Sequence, residues 1–285
     1  MSGTLKFAGS SNNYSSARFV IFGAPFDSTT SFRSGQRFAP NRIREASSTL
    51  ERFVYDNKVN IKEKNVYDAG DLMATVVPKI MINNVSSMLN NIMGESKIPI
   101  MLGGEHSVTI GIADVIKKMD ASILFLDAHP DFRDELLDQR LSHGSVARRV
   151  VEKVGIEKVS ALGIRAISLE ENNDSLFKEY TFYTTDQVRE KGVKNIVGSL
   201  LKKQGKSKIY LSLDLDVMDP AFAPGVATPE PFGLDPFQIR EIIHLIGKRI
   251  IGADIVELDP PYDNGNTAVL AARFVQDIIA SVAKI

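Results

Sequence analysis

Residues 122–131 read SILFLDAHPD. The first five are mostly apolar and show no alternation, as in a strand buried on both faces. The run then breaks into Asp127, His129 and Asp131 at alternate positions. In an extended segment such residues project to one side. In open α/β sheets, ligands bind at the carboxyl ends of the strands, which is where these three groups fall. The arrangement recurs along the chain. IPIML (98–102) runs into Gly103-Gly104-Glu105-His106, KIYLSL (208–213) into Asp214-Leu215-Asp216, and GADIV (252–256) into Glu257-Leu258-Asp259. Four strands that end in acids or histidines would gather them on one edge of the fold.

Outward from these runs, apolar β-branched stretches at 18–23, 98–102, 122–126, 158–163, 208–215 and 249–258 alternate with helix-period stretches at 40–54, 80–93, 107–118, 144–154, 235–247 and 267–283. Asp235 followed by Pro236 reads as an N-cap with proline at the first helical position. The alternation predicts an α/β fold, a mainly parallel sheet covered by helices on both faces. No repeat or Pro/Gly/Ser-rich linker divides the chain. The expectation is therefore a single three-layer αβα domain over 1–285, with the first ~15 residues a loose N-terminal arm.

Composition narrows the function. With 34 Lys+Arg against 35 Asp+Glu, nothing steers the chain toward nucleic acid or an anionic membrane. No apolar run approaches the ~18 residues of a membrane helix, and residues 1–19 lack the apolar core of an export signal, so the expected compartment is the cytoplasm. Zero Cys removes thiolate metal sites and a cysteine nucleophile.

His106, Asp127, His129, Asp131, Asp214 and Asp216 together offer four carboxylates and two imidazoles. Crowded at the mouth of an apolar sheet, ionised carboxylates repel, and divalent cations would cancel that charge. An oxygen-rich set with some imidazole suits Mn²⁺ better than Zn²⁺. The expectation is two Mn²⁺ per chain, with Co²⁺, Fe²⁺ and Zn²⁺ compatible. Each motif alone is weak: a single D-x-D fits an exposed turn, and a His after Gly-Gly fits a hydrogen-bonded structural role. Together they include two of only four histidines. A divalent pair lowers the pKa of water and makes hydroxide available near neutral pH, so the general capability is hydrolysis. His244, within EIIHLIG (241–247), has no partner motif and reads as structural.

These residues resemble the ureohydrolase family of arginase, agmatinase, guanidinobutyrase and formimidoylglutamase. The resemblance rests on LGGEHS (102–107), DAHPD (127–131) and SLDLDVMDPAFAPGVATPEPFG (212–233), with fainter echoes at 23–47, DAGDL (68–72) and 267–279. It covers nearly the whole chain. It implies an arginase-like fold with an eight-stranded sheet, and a homotrimer or homohexamer. It also implies that His106, Asp127, Asp131 and Asp214 hold one Mn²⁺ and Asp127, His129, Asp214 and Asp216 the other. His143 then matches the family's proton-shuttle histidine, Glu257 the carboxylate that grips the substrate guanidinium, and Asp131 the acceptor of the nucleophile's proton. Without the resemblance, His143 reads as a helix N-terminal residue and Glu257 as a strand-end acid in an ion pair.

Substrate identity turns on the loop FRDELLDQR (132–140), which departs from the Asn/Thr/Ser-rich loop of arginases and is similar to agmatinase-like members. Asp134, Glu135 and Asp138 would favour a substrate with a cationic far end. Arg133, if it faces the pocket, would instead suit a carboxylate, as in guanidinobutyrate. The resulting expectation is cleavage of agmatine to urea and putrescine, a step of polyamine biosynthesis. The alternatives are guanidinobutyrase, arginase or formimidoylglutamase activity, or an inactive subunit or binding module that keeps only the fold.

Overall fold

The structure, a computed structural model, describes residues 5–11 and 13–283. Its strands are β1 (Phe19–Ala24), β2 (Phe53–Val54), β3 (Val59–Asn60), β4 (Val66–Asp71), β5 (Ile98–Gly103), β6 (Ser122–Leu126), β7 (Val159–Ile164), β8 (Thr181–Thr184), β9 (Ile209–Asp214) and β10 (Ile250–Val256). The α-helices are α1 (Ala39–Ser47), α2 (Pro78–Gly94), α3 (Ala113–Met119), α4 (Val146–Val154), α5 (Leu169–Asn173), α6 (Thr185–Lys191), α7 (Val193–Lys203), α8 (Pro236–Ile246) and α9 (Asn266–Ala283). Eight strands form one sheet in the order β4-β1-β5-β10-β9-β6-β7-β8. Its neighbours pair in parallel throughout. The chain forms a single domain of three layers, as the alternation of strand and helix requires.

Burial explains which strands the sequence disclosed. All residues of β1, β6, β7 and β9 are buried, and alternate side chains feed opposite faces. Phe19, Ile21, Leu211 and Leu213 pack with α1, α7, α8 and α9, while Val20, Phe22, Phe125 and Tyr210 pack with α2, α3 and α4. The two strands of this sheet not legible as apolar runs, β4 and β8, are its edges. One alternates in burial and the other is half-buried along its length.

Three local expectations change. The helix expected over 40–54 ends at Ser47, and Phe53 begins a small antiparallel hairpin. The reason is a run of hydroxyls: Ser47, Ser48 and Thr49 donate to the carbonyls of Arg44, Glu45 and Ala46 and terminate the last turn. The segment 107–118 opens as a 3-10 turn, His106–Ile112, before α3. Helices α5, α6 and α7 lie outside the helix-period stretches of the sequence. The N-cap at Asp235 is as read, and it forms a full capping box with Gln238.

Of the expected N-terminal arm, residues 1–4 and 12 lie outside the described residues. Phe7 is buried, its N–H donates to Asp68 at 2.7 Å, and Ser11 N–H donates to Val66 O at 2.6 Å. Asp68 and Asp71 of DAGDL both pair with the wholly buried Arg44, so these acids have a structural partner. Among the described residues, no helix is long and apolar enough to cross a membrane.

The turn after β5 requires a glycine. A Cβ on Gly104 would stand 2.0 Å from Phe26 O and 2.6 Å from Phe26 N, a backbone contact that cannot yield cheaply. Gly104→Ala is expected to cost about 1–3 kcal/mol, as overpacking does. It should lower the urea midpoint of unfolding, and an unchanged midpoint would refute the close approach as a constraint.

Candidate metal centre

β5, β10, β9 and β6 are consecutive in the sheet, so the four strand ends marked by sequence lie side by side. His106 follows the Gly103-Gly104 turn and is 1% exposed. Its Nδ1 lies 3.1 Å from Asp127 Oδ2, 3.0 Å from Asp131 Oδ2 and 3.2 Å from Asp214 Oδ2. Beside it, His129 Nδ1 lies 2.9 Å from Asp216 Oδ2 and 3.8 Å from Asp127 Oδ1. Two groups of side chains could hold a metal ion: His106, Asp127 and Asp214, and Asp127, His129 and Asp216. Asp127 is common to both, while Asp214 falls in the first alone. Asp131 stands at hydrogen-bond distance from His106 Nδ1.

Electrostatics fit a cation here. Burial, then Asp127, raises the Asp131 carboxyl from 3.8 to about 7. Burial, then Asp216 and Asp127, raises Asp214 well above its ordinary value. Burial penalises an ionised Asp216 too, but His129 outweighs it and holds that carboxyl low. Burial opposes charge on His106, yet its three carboxylate neighbours raise it well above 6.5. His106 Nδ1 is buried and forms no hydrogen bond of good geometry, though three carboxylates converge on it. A proton or a divalent ion would resolve that convergence, and the donor set suits the ion. Backbone supports keep the carboxylates in place: Ala128 N–H donates to Asp216 at 3.0 Å, His129 N–H to Asp127 at 2.6 Å and Asp216 N–H to Asp214 at 2.8 Å. Asp131 and Glu257 both have positive φ, 48° and 66°, an uncommon conformation for residues other than glycine.

A second layer escaped sequence reading. His106 Nε2 faces Ser212 Oγ at 3.1 Å, and Ser212 Oγ donates to Asp254 Oδ1 at 2.6 Å. This leaves Nδ1 as the free ligand atom. Arg165 donates to the carbonyls of Asp216 and Glu230 at 2.7 Å each and so braces the long 216–231 loop. A single Arg after a buried strand carries no sequence signal for that role.

The cluster floors a cavity of about 360 Å³ whose lining includes Ser31, Arg133, His143, Thr228, Glu230 and Glu257. Glu257 is buried and accepts from His106 N–H at 2.6 Å; burial, then Glu105, raises its carboxyl well above 4.5. His143 begins the short turn before α4 and stands within reach of Thr29 and Ser31. Its ring is held neutral at working pH. Burial, with the nearby positive histidines, lowers it to about 4. The loop acids also fall elsewhere than expected. Asp134 pairs with Arg140 and Arg149, and neither it nor Glu135 nor Asp138 lines the cavity. A part-exposed acid that does line it is Glu230, 3.7 Å from His129 Nε2. Arg133 does line the cavity and pairs with Glu170 at 3.0 Å. His244 is exposed on α8, away from this site.

The model of the arginase family matches residues 17–280. The chain is 35% identical to an agmatinase of Halalkalibacterium halodurans over 96% of its own length and 95% of the relative's. It is 33% identical to a guanidinobutyrase of Pseudomonas aeruginosa, over 92% and 85%. Among solved structures, the agmatine ureohydrolase of Thermoplasma volcanium superposes with a TM-score of 0.95 and 38% identity, covering 98% of this chain and 94% of that one. The chain belongs to the arginase family. It is an agmatinase-like ureohydrolase, an enzyme that acts on guanidino carbon–nitrogen bonds.

Two predictions follow from the charge balance. The folded, metal-free chain keeps a proton at Asp131 that the unfolded chain releases between about pH 4 and pH 7, so this contribution to stability falls as pH rises through that window. The raised His106 and His129 act with the same sign at higher pH. The thermal midpoint of metal-free protein should therefore drop between about pH 5 and about pH 8, and a divalent cation, which displaces those protons, should reverse the trend. A midpoint that rises over this range without metal would refute the assignment. Separately, Asp254→Asn should weaken divalent-cation affinity roughly 10–100-fold by calorimetry, the usual effect of a lost outer partner; unchanged affinity would remove Asp254 from the site.

Proposed function

We propose that this enzyme hydrolyses agmatine to urea and putrescine with two Mn²⁺ ions. Asp127, His129, Asp131, Asp214, Asp216 and His106 would hold the ions. When bound, the pair supplies a hydroxide nucleophile near neutral pH and neutralises the crowded carboxylates.

The observation that carries the reading is that the buried Glu257 and the part-exposed Glu230 both line the cavity beside the cluster: Glu257 accepts from His106 N–H, and Glu230 lies 3.7 Å from His129 Nε2. Agmatine is cationic at both ends. Glu257 orients the planar guanidinium through charge-assisted hydrogen bonds, and the arriving cation favours its ionised form despite burial. Asp131, 3.0 Å from His106 Nδ1 at the cluster, would accept a proton and return it to the leaving amine. His143 is neutral at rest and moves the surplus proton at the rim. Arg133, which argued for a carboxylate substrate, is engaged by Glu170. The agmatinase and agmatine ureohydrolase relatives support the same substrate.

A guanidino acid is the second reading, because Arg133 does line the cavity and a guanidinobutyrase is among the relatives. The family resemblance further supports a homotrimer or homohexamer and a single functional unit over 1–285.

A urea-release assay with Mn²⁺-loaded protein decides among substrates. A carboxylate brought to the mouth without a partner loses solvation, and Glu230 repels it. The kcat/KM for agmatine should exceed that for arginine by on the order of 10²–10⁴. Guanidinobutyrate should be as poor as arginine, and Arg133→Ala should not worsen it. If guanidinobutyrate is the best substrate and Arg133→Ala abolishes the preference, the agmatine assignment fails. Full turnover in chelator would overturn the metal chemistry itself.

A further inference from the structure

Glu105 sits between the glycine turn and His106, yet its side chain has no place in the metal cluster. It is wholly buried. Its Oε2 accepts from the Thr29 backbone N–H at 2.7 Å. Its Oε1 accepts from Ser107 Oγ at 2.5 Å and from the Thr29 hydroxyl in a short contact. The segment that carries Thr29 is tied down at its base by Asp27, which accepts from Gly35 N–H at 3.1 Å and from Arg37 Nε at 2.5 Å. Thr29 then reaches His143 from the other side. The His143 backbone N–H donates to Thr29 Oγ1 at 3.1 Å, and the ring Nδ1 lies 3.5 Å from the same oxygen.

We propose that Glu105, acting through Thr29, fixes His143 as its Nδ1–H tautomer and so leaves the Nε2 lone pair facing the cavity. This rests on the reading of His143 as the group that moves a proton. Glu105 and Thr29 are positioning residues in it.

The argument is a count of protons. A threonine hydroxyl has one proton and two lone pairs. The carboxylate of Glu105 already draws three donors, and the hydroxyl proton of Thr29 is directed to it. The oxygen can then only accept on its His143 side. A bare Nδ1 there would set lone pair against lone pair, whereas Nδ1–H adds a second donor to that oxygen. A neutral imidazole has one N–H, so Nε2 is left unprotonated. Its neighbour agrees: Ser31 Oγ lies 3.1 Å from Nε2 and can donate to it. Ser31 and His143 both line the cavity that Asp131, Asp214 and Glu257 share. Burial keeps the ring neutral at working pH, the state in which a tautomer is defined.

The consequence is a division of labour within Glu105-His106. The second residue points into the metal cluster. The first fixes, two hydrogen bonds away, which ring nitrogen of His143 is free to accept a proton from the cavity.

The test reads the tautomer directly. Full-length protein labelled with ¹⁵N-histidine, metal-free and loaded with diamagnetic Zn²⁺, is measured by solid-state ¹⁵N NMR. His143→Asn assigns the resonances. The expected result is a protonated Nδ1 and bare Nε2 in the wild type, retained in Thr29→Ser. Thr29→Val removes the hydroxyl acceptor and keeps the Thr29 backbone hydrogen bond to the ring. Glu105→Gln lets an amide donate to Thr29 and frees its hydroxyl proton for Nδ1. Both should move His143 toward Nε2–H. In the Mn²⁺ enzyme, Thr29→Val should lower kcat roughly tenfold or more, with KM little changed and Thr29→Ser restoring it. Thermal midpoints near the wild type show that the variants fold; if Glu105→Gln does not, the Thr29 pair decides. A wild-type Nε2–H tautomer, or a tautomer that Thr29→Val leaves unchanged, overturns the proposal. Normal turnover by His143→Asn would instead overturn the proton-carrying role, with the tautomer assignment still read from the spectra.

Discussion

Mutual repulsion among Asp127, Asp131, Asp214 and Asp216 is the constraint around which this structure is arranged. Each of these carboxylates is at least nine-tenths buried, at the carboxyl ends of adjacent strands. Left alone they could not all ionise. The fold brings two imidazoles and several backbone N–H groups to them, and this still leaves His106 Nδ1 facing three acids. A site that resists its own ionisation is tuned to take up positive charge. The raised Asp131 and Asp214 carboxyls both express that imbalance.

Holding that imbalance requires support behind each reacting group. Ser212 and Asp254 stand behind His106, Glu105 and Thr29 behind His143, and Arg165 behind the loop that carries Glu230. None of these supports is itself placed to touch a substrate. They fix rotamers and tautomers so that the ligand atoms need not be reorganised when the site fills.

Much of the site was legible because it follows strand ends. The D-x-H-x-D and D-x-D spacings put Asp127, His129, Asp214 and Asp216 on one edge in any extended reading, and the structure has them there. The distal pocket was not legible. Asp134, Glu135 and Asp138 lie in the loop where a substrate-reading acid was expected, but Asp134 turns to Arg140 and Arg149. A part-exposed acid that does line the cavity, Glu230, comes from the far end of the 212–233 signature. The pKa of His143 was also out of reach, because it depends on burial by segments far away in sequence.

The sequence by itself determined the α/β class, the buried strands, the glycine turn at 103–104 and the residue types that could bind metal. These follow from local rules: apolar runs, alternation in an extended chain and the chemistry of each side chain. Only the tertiary structure decided the strand order that sets β5, β10, β9 and β6 side by side. It also decided the edge strands β4 and β8, the pairing of Arg133 with Glu170 and the approach of Thr29 to His143. Those depend on contacts between residues distant in the chain, and a strand's own pattern does not record which strand lies beside it.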